Sequence, residues 1–238
     1  MTTQPSKESK SSRLPMQKNS LILAIFAIVC TAIVGLVNEL TSDKIKAQEQ
    51  LQLLNTLHSI IDPSRYNNDI TQNCVSLSST LLGNSPDDKK IHIGYIAKQD
   101  NQAIAIAITS TAPDGYNGNI ELIIAVNMDD TISGVRVLKH QETPGLGDKV
   151  ELRKSDWINS FTGKKLLSEQ DDRWAVTKDN GMFDQFTGAT ITPRSVVEAV
   201  KKALIYFKDN KHSLLTRPNI CLNENERAQI ASEANNEH

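Results

Sequence analysis

The chain has 238 residues, a formal net charge of −2, 39% hydrophobic residues and 23% charged residues. This length fits one domain with an anchor and tails, or two small domains, and the composition is that of a globular protein that buries a core. A slightly acidic chain offers no basic face for nucleic acid, so we expect no nucleic-acid partner.

The first 20 residues are polar and basic. They hold Lys7, Lys10, Arg13 and Lys18 against one acid, Glu8, which is a balance of +3. The rest of the chain therefore carries −5, because −2 minus +3 is −5. Such a segment has too few apolar residues to form a core of its own. We predict a disordered cytoplasmic tail over residues 1–20.

An apolar block, "LILAIFAIVCTAIVGLV", follows at residues 21–37 and contains no charge and no proline. With its neighbours it reaches the roughly 20 residues that a membrane-spanning helix needs. A cleaved signal peptide would have a shorter apolar region and a small-residue cleavage site, which "VNELTSDK" lacks. A helix that is apolar all round also does not suit the start of a small soluble domain. We predict one uncleaved transmembrane anchor over residues 21–40.

The anchor also predicts a topology. Cations that flank a membrane span stay on the cytoplasmic side, and four of them precede this one. We therefore expect the N-terminus in the cytoplasm, one pass through a bacterial inner membrane, and the main domain in the periplasm.

A second helical pattern continues directly from the anchor. Between residues 41 and 62, leucine and alanine recur at helical spacing, and the pattern ends before Asp62-Pro63, where proline disfavours helix in the residue before it. This pattern predicts a stalk helix that rises out of the membrane.

The periodicity then changes to that of a sheet. "QAIAIAIT" alternates alanine and isoleucine from Ala103 to Ile108, which predicts a strand with one close-packed face and one bulky face. We predict an antiparallel meander whose second and third strands are joined by a longer loop, "STAPDGYNGN". The four strands lie near residues 91–98, 102–110, 120–127 and 131–139.

Shorter elements complete the predicted fold. Asp148 can cap a short helix that ends near residue 154, and "RWAVTK" is a brief strand. Thr192 is the predicted N-cap, and Pro193 the first residue, of a C-terminal helix. The fold class is α+β, with a membrane helix, an antiparallel sheet and flanking helices. We assign residues 63–208 to the main domain and residues 209–238 to a polar tail.

The cysteines and histidines do not form a metal-binding pattern. Cys30 lies in the anchor, and Cys74 and Cys221 lie beyond it, where a disulfide between them and two separate thiols are both open. The five histidines show neither i, i+4 spacing nor a nearby cysteine. We therefore expect no metal site.

Three loop motifs are the candidates for chemistry, although each alone also reads as an ordinary turn. The first is "GYNG" at 115–118, the GYNG turn, and the second is "ETPGLG" at 142–147, the ETPGLG loop. Their glycines allow close approach of a ligand, and the amides of the ETPGLG loop can point inward. The third is "TGAT" at 187–190, the TGAT turn, which precedes the C-terminal helix.

Thr190 in the TGAT turn is not needed to explain the helix start, because Thr192 and Pro193 already account for it. A helix N-terminus presents unpaired N–H groups and a positive dipole end, which suit a phosphate carried by Thr190, with Arg194 nearby. No adjacent histidine or other base activates this hydroxyl. Any modification of Thr190 therefore requires a separate enzyme.

In this order, behind a single anchor, the motifs closely resemble the G subunits of the bacterial Rnf electron-transport complex, the RnfG family. The resemblance covers roughly residues 15 to 208. In that family, FMN is joined by a phosphoester bond to the last threonine of D-x-x-[S/T]-G-A-T, a pattern that Asp184 and the TGAT turn match. The first hydroxyl residue is Thr187, where serine is frequent in the family.

The resemblance implies a cofactor, a site and partners. The cofactor is covalent FMN on Thr190, attached by a separate magnesium-dependent flavin transferase that uses FAD. The partners are the other membrane and peripheral subunits of the complex. No residue is implied to be catalytic, and no independent turnover is expected of this electron-transfer subunit. The implied flavin contacts are Thr187, Gly188, Ala189, Glu142, Thr143, Gly145, Leu146, Gly147 and Tyr116.

Two alternatives remain open from the sequence. The C subunit of the sodium-translocating NADH:quinone reductase shares the E-T-P-G-L-G and S-G-A-T elements and the FMN, but the GYNG turn is more similar to the Rnf form. A cofactor-free, membrane-anchored periplasmic interaction domain would use the TGAT turn only to begin a helix.

Overall fold

Helix α1 runs without a break from Arg13 to Ile60. The structure, a computed structural model, describes residues 13–83 and 91–221. It consists of two units, residues 1–51 and 52–238, which are described separately. Because α1 begins at Arg13, the second part of the predicted N-terminal tail is helical, and its first 12 residues lie outside the described part of the chain.

The first unit contains the apolar part of α1. Asn19–Ser42 is long and apolar enough to cross a membrane, and it is the one such segment among the described residues. The side chains of residues 19–40 are exposed to the surroundings. The Thr31 hydroxyl donates to the carbonyl of Ala27 at 2.8 Å, so this polar group is satisfied within the helix.

The second unit begins with the last turns of α1, and the helix ends before Pro63 as predicted. The last carbonyls of the helix accept side-chain bonds from the sheet. The Ser133 hydroxyl donates to the carbonyl of Ile60 at 2.6 Å, and Arg136 donates to that of Ser59 at 2.9 Å. A Cβ at Gly134 would lie 2.9 Å from the Ile60 Cα, so only glycine permits this approach.

Five antiparallel strands form one sheet in sequential order, which confirms the predicted meander and adds an edge strand to it. The added strand has only four residues, too few to show a period. The strands are β1 Cys74–Leu77, β2 His92–Gln99, β3 Gln102–Gly115, β4 Gly118–Asn127 and β5 Ile132–Lys139.

The predicted long loop between the second and third strands of the meander is wrong. β3 continues to Gly115 and β4 begins at Gly118, so Tyr116 and Asn117 alone form the hairpin turn. Gly115 pairs with Gly118 across it. The GYNG turn is therefore the rigid tip of a hairpin.

The two faces of the sheet pack differently, as the alternation in β3 predicts. Ile106 and Ile108 point into the core beneath the C-terminal helix, whereas Ala105 and Ala107 face Leu57 and its neighbours at the end of α1. The small alanine side chains leave room for α1 to pack closely against the sheet.

Helix α2 spans Ile191–Thr216. It begins before the predicted start, because Thr190 occupies the N-cap position and Thr192 already lies within the first turn. It also continues past residue 208, and Leu214 is fully buried. The other predicted short elements differ as well. Asp148 lies inside a 3-10 turn, Gly147–Val150, and caps nothing. Residues 173–178 form no strand, although Val176 makes a single β-bridge with Phe183 and a 3-10 turn, Thr177–Asp179, follows it.

Residues 217–221 follow α2 and lie along β1. Cys221 forms a disulfide with Cys74, with a Cα–Cα distance of 5.5 Å. The amide of Ile220 donates to the carbonyl of Cys74 at 2.9 Å. The start of the predicted polar tail is thus part of the folded domain, while residues 222–238 lie outside the described part of the chain.

Candidate functional site

The TGAT turn is an exposed β-turn directly before α2. The amide of Ala189 donates to the carbonyl of Phe186 at 3.1 Å, and Gly188 has a φ of +81°. In the β-turn formed by residues 186–189, Gly188 is the third residue. A positive φ at that position is typical of a type II turn, which prefers glycine there. Thr187 and Gly188 are exposed, and Thr190 is half-buried.

Thr190 occupies the N-cap position of α2, but its hydroxyl caps none of the helix amides. The first turn of a helix has unpaired N–H groups and the positive end of the dipole. An anion on the Thr190 oxygen would therefore lie at a favourable electrostatic position. This position is closer to the helix than the local pattern predicts.

Arg194, which we expected beside such an anion, has another partner in the structure. Its Nε and Nη2 donate to the two carboxylate oxygens of Asp179 at 2.8 and 3.0 Å. The hydrogen bond from Arg194 lowers the pKa of Asp179. Both side chains are nearly half exposed, so solvent weakens the pair and it contributes little to stability.

Trp157 anchors the chain just ahead of the TGAT turn. Its indole N–H donates to the carbonyl of Asp184 at 2.7 Å. Its ring also meets the buried Phe186 edge-on, with centroids 5.1 Å apart. No local pattern signals this role, because Trp157 lies 27 residues before Asp184.

The ETPGLG loop is closed on itself. Pro144 and Gly145 occupy the central positions of a turn in which Gly145 has a φ of +78°. The Thr143 carbonyl accepts the amides of Leu146 and Gly147 at 3.1 Å and that of Asp148 at 3.4 Å. The prediction that these amides point towards a ligand is therefore wrong. Leu146 is 40% exposed, and a Cβ at Gly188 would lie 3.5 Å from its Cδ2.

The GYNG turn lies next to the ETPGLG loop. The side chain of Asn117 donates to the carbonyl of Gln141 at 2.7 Å, and its backbone amide donates to Oε1 of Glu142 at 3.1 Å. Tyr116 is 66% exposed. The turn thus presents a free aromatic ring while its backbone is held in place.

The GYNG turn, the ETPGLG loop and the first turn of α2 meet at the carboxylate of Glu142, which is 5% exposed. The other oxygen of this carboxylate accepts a hydrogen bond from the hydroxyl of Thr192, in the first turn of α2. A Cβ at Gly147 would lie 2.6 Å from Oε2, and one at Gly115 would lie 2.8 Å from Oε1. The glycines of the GYNG turn and the ETPGLG loop therefore make room for a carboxylate that bonds to the first turn of α2. Thr192 is part of this contact and is not a helix cap.

His140 orients the start of the ETPGLG loop. Its Nδ1 accepts the amide of Glu142 at 3.0 Å, which leaves Nε2 to donate to Glu151 at 2.7 Å. The hydrogen bond from Arg153 lowers the pKa of Glu151 to about 2, and the hydrogen bond from His140 has a smaller effect in the same direction. Glu151 is therefore ionised at any ordinary pH and holds the imidazole in this orientation.

A cavity of about 640 Å³ begins at Ile191, the residue after Thr190. It runs between α2 and the ends of β3 and β4, and Ser195 and Lys202 line it further along the helix. Its volume lies within the range of about 300–1,000 Å³ that is usual for ligand sites.

Gly147→Ala should disrupt the junction at Glu142. The added methyl group would lie 2.6 Å from Oε2 of Glu142 and 2.8 Å from the Thr192 hydroxyl. Overpacking of this kind costs about 1–3 kcal/mol, which urea unfolding of the variant would measure. Leu146→Ala, at an exposed neighbouring position, is the control and should change stability by less than about 0.5 kcal/mol. Equal stabilities of the two variants would contradict this view of the junction.

These features define a class: a domain anchored by one apolar helix, with three loops around a helix start suited to a phosphate. The sequence family model of the FMN-binding domain matches residues 115–205, which contain all three loops. The family model of the RnfG N-terminal region matches residues 8–60.

Relatives over nearly the whole length define the family more closely. The G subunit of the ion-translocating oxidoreductase complex of Shewanella piezotolerans is 50% identical over 212 residues, which is 89% of this chain and 98% of the relative. The Shewanella oneidensis protein of that name is 49% identical over 207 residues, 87% of this chain and 96% of the relative. That of Vibrio cholerae is 48% identical over 206 residues, 87% of this chain and 97% of the relative.

The chain belongs to the RnfG family, the G subunits of ion-translocating oxidoreductase complexes. It is an FMN-binding, single-pass inner-membrane protein that works with the other subunits of such a complex. The match favours this family over the quinone-reductase and cofactor-free alternatives.

Proposed function

We propose that the chain carries FMN covalently, through a phosphoester bond to Thr190, and acts as an electron carrier. The observation that carries this proposal is the place of Thr190. It ends an exposed turn, its hydroxyl caps no helix amide, and the positive end of α2 follows directly.

The attachment would use FAD and a magnesium-dependent flavin transferase. The Thr190 oxygen attacks the FMN phosphorus of FAD, the phosphoanhydride bond breaks, AMP leaves, and the hydroxyl proton is released. The exposure of Asp184, Thr187 and Gly188 supports this step, because a second enzyme has to reach the D-x-x-T-G-A-T segment.

The remaining proposed contacts surround Thr190. Leu146 and Tyr116 are exposed apolar surfaces on two loops joined through Glu142, and they suit the faces of an aromatic ring. Thr187, Gly188 and Ala189 form the turn that carries the phosphate. The loop around Leu146 is shaped by Thr143, Gly145 and Gly147. The buried Glu142 supports this loop from the protein side.

When bound, FMN supplies the redox chemistry, and the chain supplies attachment, position and electrostatics. Within the complex, we propose transfer between reduced ferredoxin and NAD, coupled to ion movement across the membrane. The isolated subunit would have no turnover of its own. A covalent link suits a periplasmic domain, from which unbound FMN would be lost by diffusion.

We also propose that the N-terminus lies in the cytoplasm and residues 52–221 lie in the periplasm. Four cations precede the span, and positive charge is retained on the cytoplasmic side. The Cys74–Cys221 disulfide supports the same orientation, because disulfides persist in the periplasm and are rare in the cytoplasm.

Flavin attachment can be tested on denatured protein. The full-length chain should give a flavin-fluorescent band after denaturing electrophoresis when it is produced with the transferase, and a dark band without it. A dark band in cells with active transferase, checked on another substrate of that enzyme, would refute covalent attachment.

The orientation has an independent test. A reporter enzyme that is active only outside the cytoplasm, fused after His238, should be active, and a reporter that is active only in the cytoplasm, fused at the same position, should be inactive. The reverse pattern would show that the N-terminus is outside.

A further inference from the structure

Glu142 is an unusual buried charge. It is 5% exposed, and its side chain accepts hydrogen bonds from the Asn117 amide and the Thr192 hydroxyl. Among the described residues, neither lysine nor arginine forms a salt bridge with it. Its own amide is bonded to His140, so the backbone at this position is held as well.

The hydrogen bonds alone do not require a charge. A glutamine would have the same shape, with an oxygen to accept the Asn117 amide and an amino group to donate to the Thr192 hydroxyl, which can also accept. A buried carboxylate without a cation is costly compared with a neutral amide of this kind. The start of α2 offsets part of this cost, because Thr192 lies at the positive end of the helix dipole.

The location of the charge indicates what it does. Glu142 bonds to the helix start directly after Thr190 and carries the loop that places Leu146 against Gly188. Little solvent screens a buried charge from groups nearby. A negative charge there would disfavour the addition of an electron to a ring held by the same loops.

We propose that Glu142 is a positioning residue with an electrostatic effect. Its carboxylate fixes the GYNG turn and the ETPGLG loop against the start of α2, and its negative charge lowers the reduction potential of the flavin on Thr190. The electrostatic part rests on the proposed function, whereas the positioning part concerns the chain alone.

Two variants separate the two parts. Glu142→Gln keeps the shape and the bonds but removes the charge, and Glu142→Ala removes both. Glu198→Gln is the matched control, because it removes an exposed charge from the same helix, α2.

Hydrogen exchange on protein produced without the transferase tests positioning. In Glu142→Ala, the amides of the GYNG turn, the ETPGLG loop and the first turn of α2 should exchange at least about tenfold faster, because the bonds joining these segments are lost. Glu142→Gln and Glu198→Gln should exchange like the wild type. Unchanged exchange in Glu142→Ala, or Glu142→Gln as fast as Glu142→Ala, would overturn the positioning role.

A redox titration of the flavin-loaded protein tests the charge. Glu142→Gln should have a higher reduction potential than the wild type, while Glu198→Gln should not differ. An unchanged or lower potential in Glu142→Gln would overturn the electrostatic role. Wild-type protein without flavin on Thr190 would refute the proposed function and the electrostatic part with it, and the exchange result would still decide the positioning role.

Discussion

Thr190→Val should abolish covalent flavin attachment and leave the fold intact. Valine has the shape of threonine but lacks the oxygen that the phosphoester needs. The Thr190 hydroxyl caps no amide of α2, so its loss should cost less than about 1 kcal/mol. In-gel flavin fluorescence should fall to background, and circular dichroism should match that of the wild type.

The matched control is Thr187→Val in the same turn. Thr187 is an exposed threonine three residues before Thr190. Unlike Thr190, it does not adjoin α2. This variant should keep covalent flavin, in a lower amount if the transferase contacts its hydroxyl. Fluorescence retained in Thr190→Val, or lost completely only in Thr187→Val, would show that the flavin is carried elsewhere.

Loss of the Cys74–Cys221 disulfide should have the largest effect on stability. The bond joins residues 147 apart, so it restricts the unfolded chain strongly. Its removal by Cys74→Ser or Cys221→Ser should cost about 2–4 kcal/mol in denaturant unfolding. Cys30→Ser, in the apolar part of α1, should leave the unfolding of the second unit, residues 52–238, unchanged.

The disulfide also holds a segment that covers a sheet edge. The side chain of Asn219 accepts the amides of Cys74 and Cys221 at 3.1 and 3.0 Å and donates to the carbonyl of Gln72 at 2.6 Å. An uncovered edge strand can pair with other chains. Reduction of the wild-type protein breaks the same bond that the serine variants lack, so the reduced protein should show the same loss of stability. Equal stability of oxidised and reduced protein would contradict this role.

Local patterns in the sequence were enough to predict much of the fold. The apolar block predicts the span, and the alternation of alanine and isoleucine in β3 predicts a sheet with one close-packed face. These features depend on residues close together in the chain, where side-chain period follows backbone geometry. The short β1 was not predicted, because four residues are too few to show a periodic pattern.

Contacts between distant residues explain what could not be predicted about the site. Thr192 before Pro193 reads as a cap, yet its hydroxyl bonds to Glu142, 50 residues away. The glycines of the ETPGLG loop suggest amides that are free for a ligand, yet the Thr143 carbonyl accepts two of them, from Leu146 and Gly147, and the amide of Asp148 as well. In both cases a tertiary or turn contact uses the group that a local pattern assigns to another role.

Peptide mapping by mass spectrometry would locate the phosphoester that we propose on Thr190. Wild-type protein produced with the transferase should be digested and its flavin-containing peptide sequenced. We predict a single modified peptide that spans the TGAT turn, with one FMN less one water on Thr190. An unmodified Thr190 in this protein, or FMN on another residue, would contradict the proposed attachment.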